Sequence, residues 1–162
     1  MSELEQERST VGVGGLDPLA ERALAAGLFN HVWELLELTD RTALQDDAMV
    51  HAAHASRWHW GQVGGPQHLA VGEWQCSRVY AMLGRGDESL HHARRCLALT
   101  EEFPMDDFVA ASAHEALARA YAVNGDIDAA IAERNASYAI AVELEDDDDR
   151  GVIEGDLGTL PI

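Results

Sequence analysis

Most of the residues that could carry chemistry lie in one stretch of the chain. Six of the eight histidines and three of the four tryptophans fall between residues 51 and 92. On a helix, His51, His54 and Trp58 would share a face, because they are three and four residues apart. Trp offers an apolar face, Arg a bidentate donor, and His a group that titrates near neutral pH. The sequence therefore predicts a site for a small anionic or aromatic ligand where the second helix meets the third, built from His51, His54, Arg57, Trp58, Trp74 and Arg78.

The same histidines allow two other interpretations. His51 and His54, at i and i+3, could share a transition metal. However, the chain has neither an HExxH motif nor paired Glu-x-x-His motifs, and it has no GxSxG motif for a nucleophilic serine. The histidines could also be structural and bonded to neighbouring groups. We therefore expect no cofactor and no catalytic residue, and we keep a metal- or His-dependent enzyme as the alternative function.

Composition excludes several classes of partner and reaction. The formal net charge is −18, and all eleven basic residues are arginines. Such a field repels phosphate backbones and anionic membranes, so neither nucleic acid nor a membrane is an expected partner. Without lysine, Schiff-base chemistry is excluded. The two cysteines, Cys76 and Cys96, fit buried thiols better than a disulfide framework or a zinc site.

The elements that would position these residues are helices. Asp17 and Pro18 form a helix start, residues 42–45 have the capping-box pattern, and Asp87 is expected to cap the fourth helix. We predict an all-α fold with a flexible tail over residues 1–15 and one domain over residues 16–162. Within it we expect three antiparallel helical hairpins and a short C-terminal capping helix, over residues 17–60, 66–102, 106–145 and 148–158. The N-terminal residues are polar and acidic and no long apolar run is present, so we expect no signal peptide and a cytoplasmic protein.

An internal repeat supports this arrangement. Residues 76–99 recur in weaker form at residues 117–140, at an offset of 41. The matching pairs include Arg78/Arg119, Tyr80/Tyr121 and Gly84/Gly125, and the small-residue pairs are Ser77/Ala118, Ser89/Ala130 and Cys96/Ser137. A period of this size is typical of a helical hairpin that is copied and stacked.

These residues resemble the tetratricopeptide (TPR) repeat, in which small residues recur where helices pack closely. The resemblance covers about residues 66–145, although the period of 41 exceeds the usual value of about 34. The segment from His51 to Arg85 is also similar to an uncharacterised bacterial family of helical repeats. The resemblance to the TPR repeat implies a right-handed array in which the first helix of each hairpin lines a concave surface. The positions that match this surface are Trp74, Arg78, Ser112, Glu115 and Arg119. Arg78 and Arg119 could form a ladder for carboxylates, or each could pair with a nearby acid.

Function follows from the fold only in outline. A helical repeat without catalytic spacing indicates a non-enzymatic binding module. Its expected ligand is a partner protein, an acidic peptide or a small carboxylate. The first helix carries more apolar residues than one narrow stripe needs, which predicts a homodimer or a contact with another protein through Leu28, Phe29, Val32, Trp33, Leu35 and Leu36.

Overall fold

The computed structural model describes residues 15–162, so residues 1–14 of the predicted tail lie outside the described part. Over that range the protein is all-α, as predicted, and contains no strand. Its seven helices are α1 (Pro18–Leu36), α2 (Ala43–Val63), α3 (Pro66–Met82), α4 (Gly86–Glu102), α5 (Asp107–Val123), α6 (Ile127–Ala141) and α7 (Asp147–Leu157). In the same part of the chain, no helix is long and apolar enough to span a membrane.

The helix ends follow the local signals in most places. Asp17 accepts hydrogen bonds from two amides of the first turn of α1, and the capping box between Thr42 and Gln45 is formed. The prediction that Asp87 caps α4 is wrong, because Arg85 occupies the N-cap position and Asp87 lies in the first turn. The chain reaches that position through Gly84, whose φ of 70° ends α3 in a left-handed turn.

The first six helices form three hairpins, each made of two consecutive helices. α1 packs on α2, α3 on α4 and α5 on α6, while α3 also contacts α1 and α5. Serine side chains join the two helices of every hairpin. The Ser56 hydroxyl donates to the carbonyl of Ala25 at 2.8 Å, and the Ser137 hydroxyl donates to that of Ala111 at 2.8 Å.

In the middle hairpin, Ser77 and Ser89 donate to each other's carbonyl oxygens, both at 2.9 Å. A serine can satisfy a buried hydroxyl in this way only where two backbones approach closely. The small residues therefore have the packing role that the repeat predicted. The two cysteines are fully buried as expected, and burial raises the pKa of the Cys76 thiol to about 12.

The repeat extends beyond the two hairpins in which the sequence revealed it. Trp33, Trp74, Glu115 and Asp156 are each 41 residues apart and lie on α1, α3, α5 and α7. The rings of Trp33 and Trp74 have centroids 5.4 Å apart, and the indole N–H of Trp74 donates to Glu115 at 3.4 Å. α7 packs on α5 and α6 and buries Ile153 between them. One side of the array is thus formed by successive first helices in register.

Most of the apolar residues of α1 that were predicted to form an interface pack inside the protein. Val32 and Leu35 are buried in the first hairpin's core, and Leu28 and Leu36 pack against it. Phe29 and Trp33 are partly buried. The surface predicted for self-association is therefore not an exposed patch. The exposed leucines of this region are Leu16, Leu19, Leu24 and Leu38.

Candidate functional site

The structure divides five of the seven predicted site residues into two groups and leaves the other two outside both. Arg57 and His54 project from α2 toward α3 and α4, whereas Trp74, Arg78 and Arg119 lie toward α5 and the C-terminal segment. His51 and Trp58 are exposed on α2. The single pocket expected where α2 meets α3 is thus replaced by two polar clusters built around buried glutamates.

The first group, the Glu73 cluster, surrounds a carboxylate that is only 3% exposed. Arg57 Nε donates to it at 2.9 Å, His92 Nδ1 at 2.7 Å and Arg95 Nε at 3.1 Å. Burial alone would raise the pKa of the Glu73 carboxyl. The hydrogen bond from His92 and the charges of Arg57 and Arg95 outweigh burial and lower that pKa to about 2. Glu73 is therefore ionised at any physiological pH.

His54 extends this cluster toward the surface. Its Nε2 lies 2.8 Å from the Tyr80 hydroxyl, and the Tyr80 ring stacks on His92 with centroids 5.5 Å apart. Partial burial and the nearby His92 lower the pKa of His54 below its ordinary value. The contact with Tyr80 engages Nε2 of His54. Within residues 15–162 no group of three or more His, Cys, Asp or Glu side chains could hold a metal ion.

The second group, the Glu115 cluster, lies on the side formed by the first helices. Glu115 is 1% exposed and accepts from Arg119 Nε at 2.8 Å, and Arg78 Nη2 lies 3.5 Å away. Arg78 Nη2 also lies 2.8 Å from the Asp156 carboxylate. Arg119 donates to the carbonyl of Asp156 at 2.9 Å and to the Thr159 hydroxyl at 2.9 Å. Both arginines of the expected ladder are therefore held by acids and by the C-terminal segment of the protein itself.

Arg78 nevertheless keeps an unused donor. Its side chain is only 10% exposed, and its Nε has no hydrogen-bond partner among the described residues. Nη2 is close enough to Asp156 for an ion pair but is not aligned for a hydrogen bond, so the contact is electrostatic. The guanidinium lies 5.6 Å from the centroid of the Trp74 ring. It also forms part of the wall of a cavity of about 190 Å³ with Trp33, Leu36, Glu37 and Met82.

The smaller cavity lies between α1 and α3. A larger cavity of about 540 Å³ opens between the same two helices, closer to their N-terminal ends. Its walls come from α1, α3, the end of α2 and the loop before α5, and its lining includes Ala26, Phe29, Asn30, Trp60, His68, Val71 and Pro104. The rings of Trp60 and His68 stack with centroids 4.3 Å apart. The Arg22 guanidinium lies over the Trp60 ring, 5.3 Å from the ring centroid. Burial and the charge of Arg22 lower the pKa of His68, which favours the neutral ring.

Sequence reasoning did not assign this cavity, although Trp60 and His68 belong to the histidine- and tryptophan-rich stretch. The available signal was the offset of 41, which places Asn30 with Val71 and Ala26 with Gln67 on neighbouring first helices.

No protein-family model, curated protein or solved structure matches the chain.

Proposed function

We propose that this protein is a non-enzymatic binding module of the TPR-like type, which holds a segment of a partner protein in the groove between α1 and α3. One observation carries the proposal. The cavities of about 540 Å³ and 190 Å³ lie along the same pair of helices, on either side of the contact between Trp33 and Trp74. The Trp33–Trp74 contact separates the two cavities, and we call the surface that holds both of them the α1/α3 groove.

The larger cavity has the size and lining of a ligand pocket. Pockets that bind small molecules or side chains usually measure about 300–1,000 Å³ and combine apolar walls with a few polar groups. Here Phe29, Trp60 and Val71 supply apolar surface, and Asn30 and His68 supply polar atoms. An aromatic or branched apolar side chain would bury well against these walls.

Charge argues for a neutral or basic partner. The sequence suggested an acidic ligand because Arg78 and Arg119 could have been free, but both are engaged by Glu115 and by the C-terminal segment. The net charge of −18 also repels an acidic partner at long range. The groove therefore supports an apolar anchor as the main source of affinity.

A blocking substitution tests the proposal. Ala26 lines the larger cavity, so Ala26→Trp would fill it, whereas the exposed Ala23 lies on the same helix outside the lining. Ala23→Trp is the matched control. In a displayed library of random short peptides, we expect enriched sequences that bind the wild type and Ala23→Trp equally and Ala26→Trp at least about tenfold more weakly. A library without enriched binders, or binders that are indifferent to Ala26→Trp, would refute this function.

A further inference from the structure

We infer that the protein forms a symmetric homodimer through an exposed apolar stripe on α6, which pairs in the antiparallel sense with the same stripe of a second copy. The stripe consists of Ile127, Ile131, Tyr138 and the C-cap residue Val142, and we call it the α6 stripe. None of these residues lines the α1/α3 groove, so the inference does not depend on the proposed function.

The α6 stripe is a row of large apolar side chains in contact with solvent. Its four members are between 36% and 52% exposed. At about 100° per residue they fall within about 60° of the helix circumference, and they extend over about 22 Å. The buried residues of α6, Ala130, Ser137 and Ala141, lie to one side of this row. An exposed row of this kind is typical of a contact with another protein surface.

The preceding hairpin shows what covers the equivalent positions. Two members of the stripe, Ile131 and Tyr138, have counterparts on α4 at an offset of 41. These counterparts, Leu90 and Leu97, are partly buried because they pack against a cluster to which α5 contributes residues from 116 to 120. In the repeat, this side of a second helix is therefore a surface on which the next helix stacks.

The helix that follows α6 does not reach the corresponding part of the stripe. α7 has 11 residues, whereas α5 has 17, and α7 ends at Leu157. At an offset of 41, residues 116–120 of α5 correspond to residues 157–161, which are turn and coil beyond Leu157. α7 instead buries Ile153 beside Ala141, on the other face of α6. Within residues 15–162 the α6 stripe is thus a stacking surface without a covering helix.

The order of the residues favours the same stripe of a second copy as the cover. The spacings along the stripe are four, seven and four residues, so they are the same in both directions. Two antiparallel copies, related by a two-fold axis between residues 134 and 135, bring Ile127 of each copy against Val142 of the other. The same pairing brings Ile131 against Tyr138. Every contact then occurs twice, as a two-fold interface requires.

Charge and size set the strength of this dimer. The stripe itself is uncharged, so its contacts are apolar, but the net charge of −18 on each copy opposes their approach. Salt screens this repulsion over a Debye length of about 8–10 Å and should strengthen the dimer. Four apolar side chains per copy form a small interface, so we expect a dissociation constant on the order of 10–100 μM.

Sedimentation velocity on the full chain measures the association. Between about 5 μM and about 500 μM, we expect monomers of 17.6 kDa to give way to a species of twice that mass, more readily in about 0.5 M than in about 0.1 M NaCl. Ile131→Lys and Tyr138→Glu should each weaken the dimer at least about tenfold, because a charge would be buried against an apolar side chain. Leu44→Lys, at a leucine that is 80% exposed on α2, is the matched control and should associate as the wild type does.

A mixture of the two stripe variants tests the antiparallel pairing. In a mixed dimer, the lysine introduced at position 131 of one copy meets the glutamate introduced at position 138 of the other. The native Tyr138 and Ile131 meet at the second contact. We therefore expect an equimolar mixture to dimerise at a concentration at which each variant alone is monomeric.

The outcomes each decide for or against the inference. A wild type that stays monomeric over the whole range at both salt concentrations contradicts it, and so does association that weakens with salt. Chains longer than two copies, or loss of association in Leu44→Lys and not in the stripe variants, would assign the contact to another surface. A mixture that fails to dimerise overturns the antiparallel pairing. Circular dichroism melts verify folding, and should Ile131→Lys not fold, the more exposed Tyr138→Glu still tests the stripe.

Discussion

The second and third hairpins place a glutamate–histidine pair at the same positions with the two residues exchanged. In the second hairpin, Glu73 on α3 meets His92 on α4, and in the third, His114 on α5 meets Glu133 on α6. Each residue is 41 positions from its counterpart, and both Nδ1–carboxylate distances are 2.7 Å. The hairpin geometry thus fixes a contact between its two helices without fixing which helix carries the acid.

The two pairs differ in how deeply they are buried and in how many ionic partners they have. The Glu73 carboxylate is almost fully buried and also binds Arg57 and Arg95. The side chains of His114 and Glu133 are 23% and 26% exposed, and no further ion pair to either is found within residues 15–162. Buried charges that lose their partners are costly, whereas partly solvated pairs contribute little. The comparison teaches that the repeat sets the position of a contact and that burial sets its energy.

The largest expected effect comes from neutralising the buried acid. Glu73→Gln would leave Arg57 and His92 near a group that no longer carries a charge. We expect the free energy of unfolding to fall by about 3 kcal/mol or more. Glu133→Gln, the matched change in the third hairpin, should cost less than about 1 kcal/mol. Urea denaturation followed by circular dichroism measures both, and equal losses would show that burial does not separate the pairs.

A second way to sharpen the comparison is through pH. The pKa of Glu73 falls from 4.5 to about 2 on folding, so the folded state binds a proton less readily than the unfolded state. The stability from this group is therefore fully present above about pH 4.5 and is lost as the pH falls toward 2. At about 1.36 kcal/mol per pKa unit, the loss is about 3 kcal/mol.

Unfolding free energies between pH 5 and pH 2 measure this slope. Other carboxylates contribute to it as well, so the informative quantity is the difference between proteins. Glu73→Gln should flatten the dependence by about the stated amount relative to the wild type. A wild-type slope that survives Glu73→Gln would place the acid sensitivity elsewhere in the chain.

The sequence predicted the helices better than the contacts between them. Asp17, the capping box at Thr42 and the glycine at position 84 act over one turn of chain, so their effect is visible locally. The exception is the start of α4, where the N-cap is Arg85 and not Asp87. The prediction relied on residue type, which does not show where the backbone enters the helix.

The two clusters could not be predicted in the same way because their partners are distant in sequence. Arg78 meets Asp156 across 78 positions, and nothing in the local pattern of either residue indicates the pairing. The sequence identified His54, Arg57, Trp74, Arg78 and Arg119 as candidates but gave no sign that Glu73 and Glu115 would divide them. The period of 41, when it is extended to α1 and α7, aligns Trp33, Trp74, Glu115 and Asp156 from residue numbers alone.

The smallest expected effect comes from exchanging His114 and Glu133. This exchange tests directly whether either helix of a hairpin can carry the acid. Exchanging the third-hairpin pair, His114→Glu with Glu133→His, recreates the order of acid and histidine found in the second hairpin. Because both side chains keep contact with solvent and have no second ionic partner within the described residues, we expect the free energy of unfolding to change by less than about 1 kcal/mol. The same exchange in the second hairpin, Glu73→His with His92→Glu, would place an imidazole beside Arg57 and Arg95 and should be strongly destabilising. Urea titrations of the two double variants at neutral pH make the comparison, with each single substitution measured as a reference. If the third-hairpin exchange costs as much as the second-hairpin exchange, the order of acid and histidine is itself required by the packing of the helices, and the explanation from burial fails.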